Sequence, residues 1–294
     1  MQKVIVGVGV VWLLVVLGSF SLVSSQPAAP NGAVAESTRL GKDLFLIIGL
    51  DVWPNQWQTG TSPVGGVNTH SVSAVSVGLI PHITLTYERF FLSASYMRSL
   101  DYSFGKTSGT IFDREQGPLV READATGKRQ EVDVTVGYFP LNWLGISIGY
   151  KGIFRDYKFN HIHQFFPPSP LVGGTFESNT SYNGPIFGVL GSVRINDSFS
   201  LLGNLFGGYM FIDCNGCRSA TGRAPLGDGT YASSKLTLRY VPPTIPQLSL
   251  TLGYKIQVIN TEIKPTDISG PLITSNGVDT THGPIFGLSY RFRN

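Results

Sequence analysis

The sequence predicts an all-β fold, a closed antiparallel transmembrane β-barrel of about ten strands with short turns at one rim and long loops at the other. Three observations carry that prediction. Apolar and polar residues alternate with a period of two in segment after segment. The links between segments are short and long in turn. The chain is also lean in charge: of 294 residues, 42% are hydrophobic and 14% charged, where soluble domains carry about 25% charged residues. Gly is abundant, at 35 residues. The formal net charge of +3 comes with no basic block, which sets nucleic acid aside as a partner.

The chain opens on what reads as an export address. Lys3 supplies a positive start, Val4 to Leu17 is almost unbroken apolar sequence, and Val23, Ser24 and Ser25 offer small residues for cleavage before Gln26 and Pro27. Residues 1–25 are read as a cleaved signal peptide, 26–41 as a flexible lead-in and 42–294 as the barrel. Beyond residue 36 nothing resembles a membrane helix, so a membrane-embedded chain must cross with strands.

The segments follow in order. Leu44, Leu46, Ile48, Leu50 and Val52 share one face against Phe45, Ile47, Gly49 and Asp51. Val75, Val77, Leu79, Ile83, Leu85 and Tyr87 oppose Ser76, Gly78, His82, Thr84 and Thr86; Leu92, Ala94 and Tyr96 oppose Ser93 and Ser95. Val132, Val134, Val136 and Tyr138 face away from Asp133, Thr135 and Gly137. Leu144, Ile146, Ile148, Tyr150 and Phe154 oppose Gly145, Ser147, Gly149, Lys151 and Arg155. Phe187, Val189, Val193 and Ile195 oppose Gly188, Ser192 and Arg194, and the Gly-rich segment Ser198 to Phe211 shows no clear facing. Leu236, Leu238 and Tyr240 oppose Lys235, Thr237 and Arg239; Leu248 to Val258 alternates with Ser249, Thr251, Gly253, Lys255 and Gln257. Phe286, Leu288, Tyr290 and Phe292 close the chain against Gly287, Ser289 and Arg291.

Glu88-Arg89, Pro140-Leu141-Asn142, Asn196-Asp197 and Pro242 to Pro246 read as tight turns. Between them the stretches 54–70, 105–128, 159–181, 214–230 and 265–280 read as long loops rich in Gly, Pro, Ser, Thr and Asn. The charged run Asp113 to Glu131 is taken as exposed loop.

Alternation alone does not say which face is wet, because a soluble barrel alternates too. Here the polar face is mostly Gly, Ser and Thr, which suits a crowded lumen better than a solvated surface. Tyr87, Tyr96, Tyr138, Tyr150, Tyr240, Tyr254 and Tyr290 lie on the apolar face near strand ends, the place of interfacial aromatic girdles. In hydrocarbon every backbone polar group must be paired, so strands cross only as a closed barrel.

The closing segment Gly283-Pro284-Ile285-Phe286-Gly287-Leu288-Ser289-Tyr290-Arg291-Phe292 resembles the last strand of small Gram-negative outer-membrane barrels, which end in alternating aromatics. That resemblance implies outer-membrane lipid and the barrel-assembly machinery as partners. Arg293 and Asn294 follow Phe292, a departure from an end on the aromatic itself. The phrase Asn183-Gly184-Pro185-Ile186-Phe187-Gly188 nearly repeats His282 to Gly287 and is read as one solution used in two strands.

Lys151, Arg155, Arg194, Lys235, Arg239, Lys255 and Arg291 form a basic row on the lumen face, against Asp51 and Asp133. The row is read first as filling that pairs with carboxylates in a narrow interior, and second as an anion-attracting path. Cys214 and Cys217 flank an Asn-Gly turn and are expected to form a disulfide in an oxidising compartment. In size and strand count the chain also resembles the omptin-type outer-membrane proteases, whose carboxylates and His sit at the outer rim. His70, His161, His163 and His282 lie in or beside the loops, with Asp51, Asp101, Asp133 and Asp279 as possible partners. No motif matches residue by residue, so no catalytic role is carried over. His161 and His163 lack a third ligand, and no metal or cofactor is assigned.

The function read from the sequence is an outer-membrane barrel with a structural or surface-recognition role. The alternatives are a narrow porin-like channel for small anionic solutes, an omptin-like rim hydrolase and a soluble periplasmic barrel.

Overall fold

The computed structural model describes residues 44–63, 70–113, 117–166, 176–215, 226–264 and 275–293. The expected signal peptide and lead-in, and Cys217 of the expected disulfide, lie outside the described residues. Eleven strands run in chain order: β1 (Leu44–Pro63), β2 (His70–Tyr87), β3 (Phe90–Ser99), β4 (Tyr102–Asp113), β5 (Gly117–Leu141), β6 (Leu144–Phe166), β7 (Phe176–Arg194), β8 (Phe199–Asn215), β9 (Leu226–Tyr240), β10 (Leu248–Lys264) and β11 (Ser275–Arg293). Each pairs antiparallel with its neighbours, and β1 pairs with β11 to close the sheet on itself. Strands β3 and β4 both pair with β5, so together they occupy one position in the wall. The result is a closed ten-stranded barrel.

The break between β3 and β4 falls at Leu100 and Asp101. Its polar groups are met locally. Leu100 N donates to Val77 O at 2.9 Å, Ser76 Oγ donates to Leu100 O at 2.8 Å, and Arg129 N donates to Ser99 Oγ at 2.9 Å.

The outer wall is apolar over most of its height. Leu50, Ile83, Leu92, Val134, Ile148, Val189, Leu252 and Leu288 are all exposed there. Tyr87, Tyr138, Tyr240 and Tyr290 share the end near the short turns, paired across strands with Leu44, Phe90, Phe199 and Leu248 respectively. Tyr150 and Tyr254 lie further up the wall. Above them the wall turns polar, with Lys128, Lys158, Glu177, Asn260 and Glu262 exposed.

That change of chemistry explains the main correction to the sequence reading. Most of 54–70, 105–128 and 159–181, and the described parts of 214–230 and 265–280, are strand, not loop. In these stretches the outward positions are as polar as the inward ones, so the alternation fades while the backbone ladder continues. The run Asp113 to Glu131 is likewise mostly β5, with Arg129 and Glu131 buried inside the barrel.

Segment Ser198 to Phe211 also acquires a facing. Ser200, Met210 and Ile212 are buried within, and Leu201, Tyr209 and Phe211 are exposed outside. The repeated Gly-Pro-Ile-Phe-Gly phrase is used alike in β7 and β11. Ile186 and Ile285 are buried inside, Phe187 and Phe286 are exposed outside, and both Gly184 and Gly283 meet neighbouring backbone too closely for a side chain.

Candidate functional site: the lumen

The inward parity of β1 continues past Asp51 to Trp53, Asn55 and Trp57, all buried. Strands β4, β5, β6, β7, β10 and β11 add Tyr102, Arg129, Glu131, Lys151, Arg155, Tyr182, Gln257, Asp279 and Thr281 at the same heights, also buried. These side chains fill the barrel as a plug of two layers.

In the lower layer Glu131 is the acceptor. It takes bonds from Arg129 Nε at 2.7 Å, Lys151 Nζ at 2.8 Å and Gln257 Nε2 at 3.0 Å. Arg129 also donates to Gln257 Oε1 at 2.9 Å and to Thr281. In the upper layer Asp279 accepts from Trp57 Nε1 at 3.2 Å and from Arg155. The Arg155 guanidinium lies 5.0 Å from the Trp57 ring and 4.5 Å from that of Tyr182, and Nη1 donates to Tyr182 Oη at 3.2 Å. Trp57 packs at 5.0–5.2 Å against Tyr102, Phe104 and Tyr157, and Tyr102 Oη donates to Asn55 Oδ1 at 2.6 Å. Buried charge is costly unless paired and hydrogen-bonded. Here each carboxylate has several donors, so the network holds its members in one arrangement.

Below the plug the lumen is open space. Two cavities of about 320 and 400 Å³ share Ile47, Asp51, His82 and Lys235 among their walls and form one continuous vestibule. It runs from Pro246 and Gln247 at the short-turn rim up to Lys151, Tyr231 and Gln257 beneath Glu131. Lys235 Nζ donates to Asp51 Oδ2 at 2.6 Å, and Lys151 Nζ donates to Asp133 Oδ1 at 2.7 Å. Lys255 Nζ lies 4.3 Å from the centre of the Trp53 ring. Arg239 and Arg291 line the lower part, Arg291 over Phe45. Arg194 sits at the rim, paired with Asp197 of the β7–β8 turn.

The inward glycines make room for this lining. An added Cβ at Gly49 would meet the His82 ring, one at Gly137 would meet Phe91, and one at Gly188 would meet Phe206. Rings therefore lie flat against bare backbone of the next strand, which keeps the vestibule open.

The candidate rim partners do not converge among the described side chains. His282 faces outward, its Nδ1 2.6 Å from Tyr254 Oη, while Asp279, three residues away, points inward to Arg155. Asp101 sits at the strand break, 3.7 Å from Lys128 Nζ. His70, His161 and His163 fall on β2 and β6, with side chains outside the described set. Cys214 pairs by backbone with Thr180.

The residues that sequence reasoning missed are Trp53, Asn55, Trp57, Tyr102, Arg129, Glu131 and Tyr182. One signal was present: inward parity carried on, as Trp53-x-Asn55-x-Trp57 and as Arg129-x-Glu131-x-Asp133. Pro54, Gln56, Gln58 and Gly60 masked the first of these runs.

No known protein family and no curated protein sequence matches the chain. Among solved structures, the Escherichia coli outer membrane protease OmpT is similar at 14% identity, covering 87% of this chain and all of its own, with a TM-score of 0.57. The Pseudomonas putida toluene transporter TodX matches at 10% identity over 91% of this chain and 95% of its own, with a TM-score of 0.33, too low to carry an argument. The likeness to OmpT shows a shared barrel fold.

Proposed function

We propose that this protein is an outer-membrane β-barrel with a closed lumen, exported by a cleaved signal peptide, that serves a structural or surface-recognition role through its outer strand extensions. The observation that carries the reading is the combination of an apolar outer wall with a fully packed polar plug. An exposed apolar belt on this scale is untenable in water and natural in lipid. It also counts against a soluble barrel, which would turn its apolar rows inward. The plug removes a water path at the height of Glu131 and Asp279, which favours a non-conducting barrel over a porin-like channel. The strand extensions above the belt, polar outside, are the described part that reaches furthest from the bilayer. The fold shared with OmpT, an outer membrane protease, raises a rim hydrolase as a second reading. The outward turn of His282 toward Tyr254, away from Asp279, supplies no His–carboxylate unit for it.

Epitope insertion tests location and orientation together. A tag placed between 265 and 274 should be stained by antibody on intact cells, and a tag at Thr244 only after the envelope is permeabilised. Staining of neither tag on intact cells, with both recovered in a soluble fraction, would reject the proposal.

A further inference from the structure

The vestibule below the plug has a shape, a charge and a wall that neither the plug nor the lipid belt requires. It is blind at its upper end and opens at the short-turn rim. Its cavities of about 320 and 400 Å³ reach the range of small-ligand sites, about 300–1,000 Å³.

Five cations line it: Lys151, Lys235, Lys255, Arg239 and Arg291. Of the carboxylates, Asp133 is taken by Lys151 and Asp51 by Lys235, while Asp197 is held by Arg194 at the rim. Lys255 therefore adds a positive charge that the ion pairs of Lys151 and Lys235 leave unmatched, inside low-dielectric walls that focus the field on anything that enters. A second observation points the same way. Lys235 and Lys255 are direct partners across β9 and β10, and like charges so placed destabilise a sheet. Asp51 reaches Lys235 only. Among the described residues no carboxylate lies within ion-pair distance of Lys255, and the Trp53 ring beneath it attracts the ammonium without neutralising it. Within an otherwise mixed wall, Ile47, Phe139, Leu190 and Phe206 form an apolar patch on the space shared with Lys235.

We propose that the vestibule is a binding site, entered from the short-turn side, for a small organic anion with an apolar body. The anionic group sits between Lys255 and Lys235 and supplies the charge their pairing lacks. The body lies along Phe139, Leu190 and Phe206. This site stands whatever the outer extensions contact. Lysine is a compact point charge, so a carboxylate and a phosphate monoester both suit it.

The test is equilibrium binding to the full barrel reconstituted in lipid nanodiscs. The probes are 1-naphthyl phosphate, 1-naphthoate, 1-naphthalenemethanol and inorganic phosphate. One or both aromatic anions should bind saturably at one per barrel, more weakly as salt rises, and at least tenfold tighter than the alcohol or inorganic phosphate. Whichever anion binds tighter identifies the head group. Lys255→Gln should weaken binding at least tenfold, and Lys158→Gln on the outer wall should leave it unchanged. On the wild-type protein, bound ligand should shield Lys255 from acetylation by acetic anhydride, read by mass spectrometry, which keeps the test valid if the Lys255 variant fails to fold. Equal uptake of the neutral alcohol, equal affinity for inorganic phosphate, or unshielded Lys255 under saturating ligand would each overturn the proposal.

Discussion

Lys235 on β9 and Asp51 on β1 meet across the lumen at 2.6 Å, over the two strands that separate them in the wall. The contact joins residues 184 apart in sequence and stands in the wall of the vestibule, below the layers of Glu131 and Asp279. Above the vestibule the described inward side chains are packed Trp, Tyr, Arg and carboxylate.

The plug depends on charges that cannot be left alone. Asp279→Asn removes the carboxylate from Arg155, whose guanidinium is buried against Trp57 and Tyr182. The expected cost is about 3–5 kcal/mol, the range for breaking a buried pair, read as a lowered denaturant midpoint in lipid vesicles. The double replacement Arg155→Met with Asp279→Leu should cost clearly less, because it leaves no orphaned charge. Equal losses in the two variants would mean that the pair is not the constraint.

The inward glycines are predicted to be steric requirements. Gly137→Ala places a methyl group against the Phe91 ring and should destabilise by about 1–3 kcal/mol through overpacking. In the background of Phe91→Ala the same change should cost less, the remainder being the close approach of the Ile146 carbonyl oxygen. A double-mutant cycle checks this, and additivity would show that the ring is not what the glycine accommodates.

The outer wall makes a separate prediction. Leu252 is 53% exposed on the apolar face of β10, paired with Leu238 and Phe286 on its two sides and midway along the apolar run Leu248 to Ile256. Leu252→Arg should cost about 2–4 kcal/mol, the range for a charge near the bilayer midplane, measured by unfolding from vesicles. No change there would mean the belt does not face lipid.

The barrel, its turns and its inward–outward parity were legible because the exposed outer belt carries an apolar residue at every second position. Leu248 to Val258 and Phe286 to Phe292 show that pattern at full strength. Once strands rise above the belt, outward residues such as Lys128, Lys158 and Glu262 are as polar as the inward ones, so contrast vanishes and strand reads as loop. Gly-rich β8 was opaque because Gly203, Gly207 and Gly208 give no side chain to assign. The plug was partly visible: Lys151, Arg155, Asp133 and Asp51 could be placed inside by parity. Their partners Arg129, Glu131 and Asp279 fell in stretches read as loop. Which cation meets which carboxylate depends on pairings across the barrel, such as Arg155 with Asp279 over 124 residues, and local pattern does not encode those.

The packed layers of Glu131 and Asp279 are expected to close the lumen to ions. Single-channel recording of the refolded protein in a planar bilayer checks this, with insertion confirmed by resistance to detergent unfolding. A quiet membrane is expected, with no discrete steps in the wild type under a salt gradient. Stable, anion-selective steps from the unmodified protein would contradict it, and would make the basic row a conduction path rather than the wall of a blind cup.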